Sequence, residues 1–192
     1  LGAVFGQKFG WERANWFAPK NIEQTDDWSF RRSKWFEHVG NECINVKNNV
    51  GILDMTAFAK CRISGPGAKD FLDNLVANKL PKKNGRVNLC HALNTKGGVH
   101  SEFTIAKESD DSYYLVSAGA YQRLDHDWIK KWMPTDRSVF FENLTNSIGV
   151  LVVAGPKARD LLSKISYTDF SNKAFPWLSS QKIDVGLAPS IA

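Results

Sequence analysis

Residues 89–102 read LCHALNTKGGVHSE, and the fold of the chain turns on them. An apolar run leads through Asn94-Thr95-Lys96-Gly97-Gly98 into the alternating segment Val99 to Ile105. Two extended runs joined by a glycine-rich turn predict a β-hairpin. Strand alternation then puts Val99, Ser101, Phe103 and Ile105 on one face and His100, Glu102 and Thr104 on the other. Glu102 is thereby expected on a rigid strand beside a turn, a position suited to holding a carboxylate against a ligand. Its plainer reading is a charged strand residue facing water.

Working outward, Phe58 to Ser64 alternates as a strand, and Ser64-Gly65-Pro66 marks the start of a helix with Ala68, Phe71, Leu72, Leu75 and Val76 on one face. Residues 78–85, rich in Lys, Pro and Gly, read as a connection. Ser112 to Ser117 is a further strand, and Ala118-Gly119 opens a helix with Tyr121, Leu124, Trp128, Ile129 and Trp132 on its apolar face, stopped by Pro134. Val139 to Leu144 reads as a strand, and the apolar run Ile148 to Ala154 as a central strand. Upstream, the spacing of His38, Val39, Cys43, Val46 and Val50 predicts a short helix.

An internal repeat links these pieces. Ile63-Ser64-Gly65-Pro66 to Leu75 aligns with Val153-Ala154-Gly155-Pro156 to Ile165 at a constant offset of 90. Two related βα units in one α+β sheet layer are expected. Beyond Ser166 the periodicity fades, and no completed strand–turn unit is expected around Ile183.

The first 40 residues differ in character. Trp11, Trp16, Trp28 and Trp35 are four of the seven tryptophans and are interleaved with five phenylalanines and with Arg13, Arg31 and Arg32. No helical or strand period fits them, so residues 1–40 are expected to form an irregular aromatic arm, clamped on the domain or on an absent partner domain, with residues 41–192 as the domain proper.

Composition excludes some classes. The chain has 192 residues, 43% apolar and 23% charged, enough for a substantial core and ordinary for a globular protein. No apolar run approaches a membrane span, and the first residues lack the basic and apolar regions of a secretory signal. Cys43, Cys61 and Cys90 show no metal-binding or paired spacing, so idle thiols in a reducing cytoplasm are expected and no metal. The net charge of +5 is spread, with basic groups at Arg31-Arg32-Ser33-Lys34 and between Lys79 and Arg86. These make an RNA-binding scaffold an alternative reading, disfavoured because neither run is a long basic arm.

Several motifs in order carry a resemblance over nearly the whole chain. They are GAVFGQKFGWERANWFAP, FRRSKWFEHVGNE, ILDMTAFAKCRISGPGAKDFL, ALNTKGGVHSEFTI and GVLVVAGPKARDLL. The chain resembles the folate-binding aminomethyltransferase family, which includes the glycine cleavage T-protein and the C-terminal part of flavin-dependent dimethylglycine and sarcosine dehydrogenases. Its likeness is greatest to the dehydrogenase branch. The resemblance implies the N-terminal part of an aminomethyltransferase-like α+β fold that binds tetrahydrofolate and transfers a one-carbon unit from a small amine donor. A carboxylate after the hairpin glycines lies beside the pterin in that family, which implies Glu102 as the catalytic group. Folate contacts are implied for Asp54, Phe58, Leu93, Ser117 and Tyr121, each equally readable as a packing residue. A flavin amine dehydrogenase domain or subunit is implied as a partner, and a non-catalytic folate-binding or docking module as the alternative function. No GxGxxG fingerprint occurs, so no FAD is expected on this chain. The family's Tyr-x-Gly-Glu-x-Gly stretch is also missing, so an incomplete folate pocket is expected.

Overall fold

In the computed structural model, which describes residues 1–192, the central stretch forms the expected hairpin. In chain order the elements begin with β1 (Ala3–Lys8), β2 (Trp11–Phe17), α1 (Phe36–Asn48), β3 (Gly51–Asp54), β4 (Ala59–Ser64) and α2 (Ala68–Leu75). There follow β5 (Val87–Leu93), β6 (Val99–Ser109), β7 (Ser112–Ser117), a 3-10 turn (Gly119–Tyr121) and α3 (Gln122–Trp132). The last are β8 (Phe140–Asn143), β9 (Leu151–Ala154), α4 (Ala158–Leu162), β10 (Lys182–Val185) and β11 (Ala188–Ile191). They divide between two compact units, residues 1–55 with 151–164 and residues 56–150 with 165–192.

The second unit is built on an antiparallel sheet ordered β5-β6-β7-β4-β8. Alternation sorts its two faces as the sequence predicts. Cys61, Ile63, Cys90, Ala92, Phe103, Ile105 and Leu115 point to one side, where Phe71, Leu72 and Leu75 of α2 and Ile129 of α3 close a single core. Each large apolar side chain buried there contributes about 1.5–3 kcal/mol. The turn between β5 and β6 is organised by Asn94, whose side-chain carbonyl accepts from the Lys96 and Gly98 amides at 2.9 and 3.0 Å. Gly97 supplies the positive φ of 79° that the turn requires. The chain's last residues form the hairpin β10–β11, contrary to expectation. Pro189 obscures it in the sequence but is tolerated because β11 pairs on one side only.

The first unit also departs from the reading above. Residues 3–17 are no irregular arm but an antiparallel hairpin, β1–β2, that turns at Phe9-Gly10 with both residues at positive φ. Residues 18–35, between β2 and α1, lack a helix or strand. Trp16, 2% exposed, packs with Val4 and Ala18 in a small core flanked by Ile22, Trp35 and Val39. α1 forms where the spacing predicts, yet buries none of its residues.

The run Ile148 to Ala154 is not a central strand. β9 pairs only with β3 in a two-stranded ribbon, and Leu151 remains 67% exposed. The two repeated βα units therefore lie in different sheets rather than in one layer, β4–α2 in the second unit and β9–α4 in the first. What the repeat does preserve is the local turn. Gly65 and Gly155 take φ of 109° and 125°, and their carbonyls accept from Ala68 and Ala158 amides at 2.9 and 3.0 Å.

Candidate functional site

The helices cover one face of the five-stranded sheet, and the β5–β6 part of the other face lies open. Leu89, Leu93 and Val99 there are 51%, 38% and 64% exposed and give this face an apolar character. Glu102 stands among them. A bulge between Ala92 and Leu93 sets the register so that Glu102 faces His91 across the ladder. His91 Nε2 lies 3.0 Å from Glu102 Oε2 and donates to it, holding the carboxylate while leaving it 61% exposed. Simple counting back from the turn places His91 opposite Ser101, so the sequence reading missed this pair.

The same bulge moves Val99, expected on the face of Ser101 and Phe103, to the open side, and it also moves His100. That histidine was expected on the Glu102 face, but as the extra residue of the bulge it turns to the helix side and stacks on Trp128 of α3 at 3.9 Å. Its Nδ1 lies 2.8 Å from Ser101 Oγ.

Farther along the open face, Arg62 on β4 bridges two strands. Its Nε and Nη2 donate to Glu108 at 2.7 and 3.2 Å, and its Nη1 donates to Glu142 at 2.8 Å. Burial alone would raise the Glu108 carboxyl, but hydrogen bonds from Arg62 and Ser112 outweigh it and hold the group below its usual range. The Tyr114 hydroxyl is pushed up to about 12 by burial and by Glu108, so it stays protonated at neutral pH. Two carboxylates share one guanidinium here, so the network clamps strands together with Glu108 and Glu142 both engaged by Arg62.

The remaining expected site residues divide by position. β5 ends, β6 starts, β7 ends and β4 starts at one rim of the sheet, which gathers Leu93, Ser117 and the residue before β4, Phe58. Phe58 is half-buried. Gly119 lies against the Ala57 carbonyl, where a Cβ would stand 1.9 Å from the oxygen, and the turn it starts brings Tyr121, 60% exposed, to the same rim. Ser117 is buried on the helix side of the sheet, opposite the face that carries Glu102. Asp54 ends β3 and belongs to the first unit. Thus Glu102 and Leu93 share the open face, Phe58 and Tyr121 border its rim, and Ser117 lies beneath it.

A cavity of about 410 Å³ occurs in the first unit, where Asn15, Trp16, Asp26, Trp28, Ser33, Trp35 and Val39 line it. None of the expected site residues is among them. No group of three or more His, Cys, Asp or Glu side chains is placed to hold a metal ion, and no helix is long and apolar enough to cross a membrane.

Comparison with known proteins agrees with this architecture. Mouse (Mus musculus) mitochondrial dimethylglycine dehydrogenase is 35% identical over 184 residues, covering 95% of this chain and 21% of that protein. The aminomethyltransferase of Thermoanaerobacter sp. (strain X514) is 33% identical over 144 residues, 73% of this chain and 38% of its own length. The chain thus spans about a fifth to two-fifths of these relatives. Among solved structures, the glycine cleavage system aminomethyltransferase T from Bartonella henselae superposes with a TM-score of 0.73 at 16% identity, over 95% of this chain and 44% of that one. That likeness shows the fold: a mixed α/β arrangement matching the N-terminal part of the T-protein. The family described as the GCVT N-terminal domain matches residues 1–192 in full, and the chain belongs to it.

Proposed function

We propose that this chain is a tetrahydrofolate-binding, aminomethyltransferase-like domain that serves transfer of a one-carbon unit from a small amine donor to tetrahydrofolate. The observation that carries this reading is Glu102, held by His91 on an open sheet face between exposed Leu89, Leu93 and Val99. Flat rings suit such an apolar surface, and a fixed carboxylate beside it favours positive charge on a reacting amine carbon. Lys96, in the turn of the same hairpin, is available to an anionic tail. Tetrahydrofolate, when bound, supplies the nitrogen that accepts the carbon. Glu102 provides the negative charge, and His91 is a positioning residue that restricts the carboxylate. The names of the relatives, an aminomethyltransferase and a dimethylglycine dehydrogenase, agree with this chemistry.

Calorimetric titration with tetrahydrofolate tests the proposal. Saturable binding is expected, weakened about tenfold in Glu102→Ala, the loss of roughly 1.4 kcal/mol. Absence of saturable binding, or equal affinity of the variant, would overturn it. A second reading is favoured by Trp28 and Phe30, which are almost wholly exposed at 94% and 114%. In it the chain is a non-catalytic docking module of a flavin-dependent amine dehydrogenase. Complex formation with such a dehydrogenase, without turnover by this chain alone, would decide for it.

A further inference from the structure

We propose that the indole-lined cavity of the first unit is a binding site for a small methylated ammonium cation. Three tryptophans border it, and they come from two segments: Trp16 from β2, Trp28 and Trp35 from the residues between β2 and α1. The Trp16 ring is 2% exposed and stacks on His38 at 5.9 Å, so the indoles open to a ligand are Trp28 and Trp35. Indole faces carry negative quadrupole density and attract cations, most strongly those that are weakly hydrated. A primary ammonium keeps its water shell, whereas methyl groups shed it and also make apolar contact with the rings.

The carboxylate in the cavity wall adds an independent argument. Asp26 Oδ1 accepts from Trp16 Nε1 at 3.0 Å, and Oδ2 accepts from Asn15 Nδ2 at 3.3 Å. Both bonds come from neutral donors, and Asp26 takes part in no ion pair. Lys34, nearby in sequence, directs its amine to Thr25 and its amide to Asp27. Asp26 is therefore held in place without an ion pair and has lone pairs to spare, with Arg31, Arg32 and Lys34 close by in the sequence. An anionic ligand is repelled by the Asp26 carboxylate, and a cation gains more from it than a neutral hydrogen-bond donor does. Trp28 completes the case, since a tryptophan 94% exposed lacks a covering group that a ligand would provide. A volume of about 410 Å³ admits a trimethylammonium head with a short chain. This site shares no residue with the folate-facing surface, and its fate is separate from that reading.

Choline chloride is the probe, titrated into the 192-residue chain while its methyl protons are followed by NMR. Its uncharged isostere, 3,3-dimethylbutan-1-ol, serves as the comparison. A saturable upfield shift from the indole ring currents is expected for choline, with affinity about tenfold or more above that of the alcohol. Asp26→Asn and Trp28→Ala should each weaken choline about tenfold, and Trp28→Ala removes a side chain that packs on almost nothing, so its fold should be unchanged. A shift that fails to saturate, equal affinity for the alcohol, or undiminished binding by Trp28→Ala would each overturn the proposal. Undiminished binding by Trp28→Ala would leave the exposed indole to a protein partner.

Discussion

His126 makes the second unit sensitive to mild acid. It lies on α3, 8% exposed, with its ring 4.9 Å edge-on from Phe141. Burial first, and then the Lys130 charge, lowers its pKa below 6.5, while Asp125 and Asp127 oppose this less strongly. The folded state thus prefers the neutral ring, and the unfolded chain binds the proton more readily. Stability from this group is fully present above pH 6.5 and is lost as pH falls through the depressed folded value. The melting temperature should therefore drop between pH 7.5 and pH 5, above the range where carboxylates titrate. His126→Gln should flatten that dependence; an unchanged slope would assign it to another group. At this scale the sequence was readable where alternation is regular. Glu102 was correctly turned to the open side, because Ser101, Phe103 and Ile105 have to fill the core. His91 and His100 were not readable, because a single bulge re-pairs one and reverses the other.

The repeated Gly-Pro turns can be tested as elements. At Gly65 a Cβ would lie 2.5 Å from the Ser138 carbonyl oxygen, and at Gly155 it would lie 2.4 Å from that of Asn49. Both glycines also hold φ beyond the range that side chains accept. Gly65→Ala and Gly155→Ala should each destabilise by about 1–3 kcal/mol or more, from backbone strain combined with the clash. Gly97→Ala, at φ 79° but with nothing within 4 Å, should cost about 1 kcal/mol. Urea denaturation measures all three, and a Gly65→Ala cost no greater than that of Gly97→Ala would refute the steric argument. The repeat itself was legible because turn chemistry is local. Its sheet membership was not, since an apolar run reads alike in a core strand and in the ribbon β3–β9. The N-terminal hairpin escaped for a related reason. Trp16 is buried while Phe5 and Phe17 are exposed, so aromatics on both faces mask the alternation, and Phe9-Gly10 is not a marked hairpin turn.

The whole molecule pairs a well-filled unit with a thinly filled one, and amide exchange should record the difference. Sixteen buried residues form the second unit's core, whereas Val4, Trp16 and Ala18 form that of the first. β6 and β7 are bonded on both sides within the five-stranded sheet, and Ile105 and Leu115 upon them are 0% and 1% exposed. Their amides open only with loss of that core. β3 and β9 have a single partner each, and Ile52 and Leu53 are 63% and 55% exposed. A two-stranded ribbon with so little buried surface is marginal by itself. Hydrogen–deuterium exchange read by mass spectrometry should therefore show β6 and β7 protected longest, with β3 and β9 exchanging at least tenfold sooner, a gap of roughly 1.4 kcal/mol in opening free energy. Exchange of β3 and β9 as slow as that of β6 would contradict this ordering. If that slow exchange then vanished on dilution, the exposed apolar residues of the ribbon would be covered by a second copy of the chain, because only association makes protection depend on protein concentration.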